Sequence, residues 1–97
     1  MLARMTTLQA QPGKLDELNR KLMESVLHAA SRQKGYKNCM TLSHPETGKV
    51  LIISVWETET DMLANEGSGY YKEQIAKIDS TLANPPVRET YKITFQD

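Results

Sequence analysis

The sequence is poor in the residues from which special sites are usually built. Its 97 residues hold one cysteine, one tryptophan, one phenylalanine and two histidines. A single cysteine, Cys39, excludes an internal disulfide and fits a reducing compartment. The histidines, His28 and His44, have no partners at zinc or iron spacing, so no metal site can be read and no bound cofactor is expected. Lys plus Arg and Asp plus Glu number 12 each, for a net charge of zero. With no basic block, the chain lacks the footprint of a nucleic-acid binder. Met1–Thr7 has no apolar signal core, and nothing approaches the ~20 apolar residues of a membrane span. There is no glycine-rich phosphate loop and no nucleophile elbow. These absences describe a cytoplasmic protein that engages neither nucleic acid nor membrane, built as one domain over residues 1–97.

What is present centres on Lys49–Asn65. Val50–Trp56 reads as an interior strand, because Val50, Ile52 and Trp56 fall on one side and Leu51, Ile53 and Val55 on the other. Only Ser54 interrupts, so both faces of the sheet need cover. Before it, Leu2–Gln9 reads as a first strand. Leu15, Leu18, Leu22, Val26 and Ala29 recur at helical spacing from about Pro12 to Lys34, with Asp16–Arg20 and Glu17–Lys21 as outer i,i+4 pairs. Gly35 is the natural stop. Tyr36–Ser43 makes strand two, joined to strand three through the turn His44–Gly48.

Thr58 followed by Asp61 has the spacing of a capping box, and the short helix it opens breaks at Gly67-Ser68-Gly69. A second segment resumes near Tyr70 with Tyr71, Ile75, Ile78 and Leu82 in one stripe, and Asn84-Pro85-Pro86 ends it. Val87–Phe95 closes the chain as a strand. The order β-α-β-β-α-β predicts an α+β, ferredoxin-like subunit with a four-stranded antiparallel sheet and its helices on one face. The other face would be a large apolar patch, and a second copy placed sheet to sheet covers it most economically. A homodimer is therefore expected.

These residues also resemble the antibiotic biosynthesis monooxygenase family of dimeric α+β barrel proteins. The resemblance is carried by Pro12-Gly13-Lys14 before the first helix, Gly35-Tyr36 opening the second strand, and Ser54-Val55-Trp56-Glu57. Ser68 and Tyr71 fall where the family has a serine and a phenylalanine, and the likeness runs from Leu2 to Phe95. It implies a pocket between sheet and helices in each subunit. The enzymatic members oxidise anthrones and hydroquinones with molecular oxygen, using neither metal nor flavin. By the same resemblance Trp56 is a pocket residue that contacts an aromatic ring. A histidine commonly stands nine residues after that tryptophan, and here the position is Asn65. The family's haem-degrading branch is a poorer match, with Asn65 and Ile75 at its tryptophan and histidine positions and Thr6 or Thr7 at its asparagine.

An oxygenase without a cofactor needs a substrate acidic enough to form an anion that can reduce oxygen itself. The protein would hold the ring, assist deprotonation and steady an oxyanion. The catalytic candidates are Trp56, which is otherwise a core tryptophan, and Asn65, which is otherwise a helix C-cap. Substrate-binding candidates are Trp56, Tyr71, Tyr70 and Arg88. Tyr71 continues the buried stripe, Tyr70 serves equally as a surface residue, and Arg88 either binds an anion or pairs across a dimer. Cys39 reads as a small buried hydrophobe and His28 as an exposed helix residue. The function expected is a cofactor-independent monooxygenase acting on a small electron-rich aromatic, with molecular oxygen as second substrate. The rival is a homodimer of the same fold that binds a small ligand, or plays a structural part, without catalysis.

Overall fold

The computed structural model describes residues 1–26, 33–67 and 69–97, and of residues 25, 26, 70 and 71 the backbone alone. The elements run β1 (Leu2–Gln9), α1 (Leu15–Lys21) with a π-helical turn (Leu22–Val26), β2 (Tyr36–His44), β3 (Lys49–Trp56), α2 (Glu59–Gly67), α3 (Tyr70–Ile78) with a 3-10 turn (Asp79–Thr81), and β4 (Val87–Lys92). The strands form one antiparallel sheet in the order β2-β3-β1-β4. This is the expected ferredoxin-like arrangement, with the second helical region divided in two.

Strand periodicity sorts the sheet into two unlike faces. Leu8 of β1 lies opposite Val50 of β3, and Thr6 opposite Ile52. With Ala10, Leu18, Leu22, Ile78 and Leu82, the pair Leu8 and Val50 makes the buried core, and Leu15, Ile52 and Ile75 pack at its margin. Each such leucine contributes about 1.5–3 kcal/mol when fully buried, so this cluster holds the helices to the sheet. On the other face stand Met5, Ile53 and Met40 in one row, and Val87, Thr7, Leu51 and Leu42 in the next. Leu42 is 46% exposed and Val87 57%. The doubly apolar strand thus has one side under helices and one side open in the single chain.

Several boundaries differ from the sequence reading. The first helix starts at Leu15, because Gly13 adopts φ +79 and a turn closes from Lys14 N–H to the Gln11 carbonyl (2.9 Å). Gln33 and Lys34 already lie in the turn before β2, so the helix does not reach Lys34. Ala29 and His28 lie outside the described residues, as does Ser68, and Val26 is described by its backbone alone. Arg20 pairs forward with Glu24 at 3.2 Å instead of back with Asp16, while Glu17–Lys21 stands at 3.9 Å.

The last helix ends at Ile78, well before Pro85. The end of β1 captures the chain there. Gln11 N–H donates to the Thr81 carbonyl, Ala83 N–H to the Gln9 carbonyl, and Leu82 bridges Ala10. β4 stops at Lys92 because its partner runs out, since Lys92 lies opposite Leu2, the first residue of β1. No helix among the described residues is long and apolar enough to cross a membrane.

Candidate functional site

The helix-covered face changes character along the strands. Beyond the core row of Leu8 and Val50 comes a row of Thr41, Ile52, Thr6 and Arg88, then one of Cys39, Ser54, Arg4 and Thr90. The latter is polar on all four strands. A row of polar groups beneath a helix must find partners, because burying them unpaired costs free energy.

For Arg4 the partner comes from α2. Thr58 caps it as the sequence predicts, its hydroxyl accepting from Asp61 N–H at 3.1 Å. Met62 is buried, and Asn65 and Glu66, three and four residues on, share its inward side. Glu66 reaches Arg4 in a two-pronged pair, Nε to one carboxylate oxygen and Nη2 to the other. Arg4 Nη1 donates to Thr90 Oγ1. The Arg88 guanidinium stands 3.4 Å from the Glu66 oxygen that Arg4 Nη2 holds. Two guanidinium groups therefore share one carboxylate. Side-chain exposure is 16% for Arg4, 13% for Glu66 and 35% for Arg88, which makes Arg88 the outermost of the three.

Asn65 lies within α2, ahead of its last residue Gly67, so it is not a C-cap. It is half-buried, and its amide oxygen is a buried atom that receives no hydrogen bond among the described residues, while the residue as a whole is engaged in an interaction. Trp56 closes β3 one pleat beyond Ser54 and is 3% exposed. Its indole N–H donates to Ser54 Oγ at 3.0 Å, and Tyr36 meets its ring edge-on, 5.8 Å between centroids. The Tyr36 hydroxyl lies beside the Cys39 thiol. Burial pushes that thiol up, with the Tyr36 hydrogen bond pulling part of the way back. Burial and the neighbouring thiol likewise push the Tyr36 hydroxyl up. Cys39 is a half-buried thiol whose surroundings disfavour the thiolate that a nucleophile needs.

Of the residues singled out from the sequence, Arg88 reaches the Glu66 carboxylate as an ion partner, and Asn65 is the chain neighbour of Glu66 on α2. Trp56 lies on the same sheet face and is satisfied locally. Tyr70 opens α3 and Tyr71 follows it, but their side chains lie outside the described set. The residues that sequence reasoning missed are Arg4 and Glu66. For Arg4 the signal is present: Arg4, Thr6 and Leu8 share a strand face, so a strand with Leu8 inward also turns Arg4 inward. Among the described residues no three His, Cys, Asp or Glu side chains converge to hold a metal ion.

An open groove of about 360 Å³ runs beside this cluster, lined by Lys72, Ile75, Pro86 and Arg88. It lies between the edge strand β4 and α3.

The fold recurs in solved structures. A protein from Deinococcus radiodurans, provisionally named an antibiotic biosynthesis monooxygenase, superposes with a TM-score of 0.82 at 15% identity, covering 100% of this chain and 96% of that one. A protein of unknown function from Nitrosomonas europaea gives 0.82 at 21% identity, over 99% and 91%. A conserved protein from Methanosarcina mazei gives 0.79 at 16%, over 94% and 90%. At such identities the likeness establishes the fold alone. Among curated proteins, none matches the sequence significantly. The family model described as "Antibiotic biosynthesis monooxygenase" matches residues 1–77. That stretch carries β1 through most of α3, including Arg4, Trp56, Asn65 and Glu66, and on it the chain belongs to the antibiotic biosynthesis monooxygenase family.

Proposed function

We propose that this protein is a cofactor-independent monooxygenase that oxidises a small electron-rich aromatic of the quinol or anthrone type with molecular oxygen. The observation that carries the reading is the polar row Cys39–Ser54–Arg4–Thr90 beyond the apolar core of the helix-covered face, with Asn65 and Glu66 on the helix α2 whose Glu66 pairs with it. Polar groups of this kind, fixed beneath a helix, are the preorganised donors that an anionic intermediate needs. In an anthrone, loss of a proton gives an anion that passes an electron to oxygen. A carbon–oxygen bond then forms, and loss of water leaves a carbonyl. One methylene and one dioxygen become one carbonyl and one water, so no outside reductant enters.

The roles follow the chemistry. Asn65 offers its amide N–H groups to the developing oxyanion, Trp56 supplies an aromatic wall, and Arg88 draws in the anion. Tyr70 and Tyr71, at the start of α3, are proposed to contact the ring or its oxygens. The working unit is proposed to be a homodimer. The open face with Met40, Leu42, Val87 and Tyr91 exposed supports it, as a second copy would bury all four.

A second reading has its own support. Trp56 is almost wholly buried and its N–H is already taken by Ser54. A core tryptophan of this kind favours a homodimer that binds a small ligand, or none, without turnover. Oxygen uptake with a panel of hydroquinones and anthrones separates the readings. Uptake above that of heat-denatured protein supports the enzyme. Ligand binding without uptake supports the rival.

A further inference from the structure

We infer that Trp56 and Tyr36 form a one-electron relay, which draws an oxidising equivalent out of the buried end of β3 and delivers it to the Cys39 thiol on the edge strand β2. For its source of radicals the relay rests on the oxidation proposed above. Its path rests on ring and strand geometry.

Strand register builds that path. Tyr36 lies opposite Trp56 and Cys39 opposite Ser54, so Ser54 and Trp56 share one face of β3. Tyr36 and Cys39 stand an odd number of residues apart, and in a regular strand they would point to opposite faces. The bulge between Tyr36 and Asn38 inserts Lys37 as an unmatched residue, which brings Tyr36 round to the face of Cys39, Ser54 and Trp56. Glu57 N–H donates to the Gly35 carbonyl at 2.7 Å and holds the backbone beside both rings. Tyr36 then meets Trp56 edge-on at 5.8 Å between centroids, with its hydroxyl beside the Cys39 sulfur. An indole, a phenol and a thiol, each able to give up one electron, thus follow one another from inside to edge.

Burial gives the path its direction. Trp56 is 3% exposed, whereas Tyr36 and Cys39 are half-buried. Loss of one electron makes the indole a cation, and a charge in so buried a place is disfavoured. Tyr36 loses a proton together with its electron and ends neutral. The oxidant is an aryloxyl radical, formed when a phenolate substrate gives one electron to oxygen and does not go on to form the carbon–oxygen bond. It takes an electron from Trp56 and a proton from water and becomes the phenol, while Ser54 Oγ keeps its hydrogen bond to the indole N–H. Tyr36 returns an electron to Trp56 and releases its phenolic proton to water. The Tyr36 phenoxyl takes the hydrogen atom of the Cys39 S–H, and a thiol in solution gives its own hydrogen atom to the Cys39 sulfur. One aryloxyl radical and one solution thiol become one phenol and one solution thiyl radical, and all three side chains are restored.

The test is pulse radiolysis of the intact protein with the azide radical, a one-electron oxidant that attacks tryptophan in preference to tyrosine at neutral pH. The unaltered protein is expected to show a tryptophanyl absorbance that decays as a phenoxyl absorbance rises. The phase should be first order, at a rate independent of protein concentration. Unfolding in urea, which parts the two rings, is expected to remove it. Tyr36→Phe keeps a ring against Trp56 and leaves the other tyrosines in place, and it is expected to lose the phase outright. Cys39→Ser is expected to keep the phase and lengthen the life of the phenoxyl. A structural role for Tyr36 alone would lower the melting temperature of Tyr36→Phe and leave the transfer intact. Retention of the phase in Tyr36→Phe, its absence from the unaltered protein, or an unchanged phenoxyl lifetime in Cys39→Ser overturns the relay. Oxygen uptake with quinols by a protein that lacks the first-order phase would sink the relay and leave the proposed activity. The phase without uptake would do the reverse.

Discussion

Arg4 and Glu66, 62 positions apart in the chain, meet in a two-pronged ion pair that ties the first strand to the helix after the third. Both side chains are largely buried, so the pair is not of the surface kind worth about 0–1 kcal/mol. Removing one partner strands the other charge. Arg4→Ala is expected to cost about 3 kcal/mol in urea unfolding, whereas Arg4→Met combined with Glu66→Leu should recover most of that loss. A single-variant loss below about 1 kcal/mol would place the pair among surface ion pairs.

Gly35 and Gly13 provide a matched comparison. Both have positive φ, at +81 and +79. A β-carbon on Gly35 would lie 2.5 Å from Asp61 Cβ and 2.7 Å from its Cγ, while one on Gly13 would meet nothing within 4 Å. Gly13→Ala should therefore cost only the left-handed strain, about 1–2 kcal/mol. Gly35→Ala should cost clearly more, since α2 must shift away from the start of β2. Thermal unfolding of the two variants side by side checks the order. Equal losses would contradict the close approach.

The contrast between these features explains what was legible in the sequence. The strand Val50–Trp56, the Thr58 cap and the hairpin at His44–Gly48 are set by neighbours a few residues away, and the structure keeps all three. The end of the last helix was misjudged because β1, some seventy residues earlier, captures Thr81 and Ala83. Asn65 is legible through the family resemblance, nine residues after Trp56, and Arg88 as a charge within a strand. Glu66 is not, since a glutamate in a helix is ordinarily a solvated residue. Only the register of β1 and β4 brings Arg4 and Arg88 beneath it.

Cys39 offers a pH test. Burial raises its thiol above the ordinary range, and the Tyr36 hydroxyl lowers it in part. Alkylation by iodoacetamide should show a midpoint above that of N-acetylcysteine measured alongside, and Tyr36→Phe should move it higher still. The folded protein holds the thiol proton more tightly than the unfolded chain. Its contribution to stability is thus complete below the unfolded value and lost as pH rises through the folded one. A midpoint at or below that of the free thiol would mean that Cys39 is activated.

The open sheet face makes a prediction about mass. Light scattering at micromolar concentration should give twice the chain mass of 11.0 kDa, with a buried area above ~1,000 Å². Leu42→Glu, on the exposed row of β2, should shift the protein toward single chains. A single-chain mass for the unaltered protein would remove the dimer from the account.

The central claim is oxidation by molecular oxygen without a bound cofactor, and an oxygen electrode tests it directly. Chelator-treated protein, free of iron, copper and flavin by elemental analysis and absorbance, is given an anthrone or hydroquinone under air. The account predicts one oxygen consumed per anthrone converted, at a rate proportional to protein concentration. Asn65→Ala should lower kcat by up to roughly 10²-fold with little change in KM, as expected for a donor that acts mainly in the transition state. Oxygen uptake no faster than in protein-free buffer across the whole panel, with the aromatic ligand nevertheless bound, would contradict it.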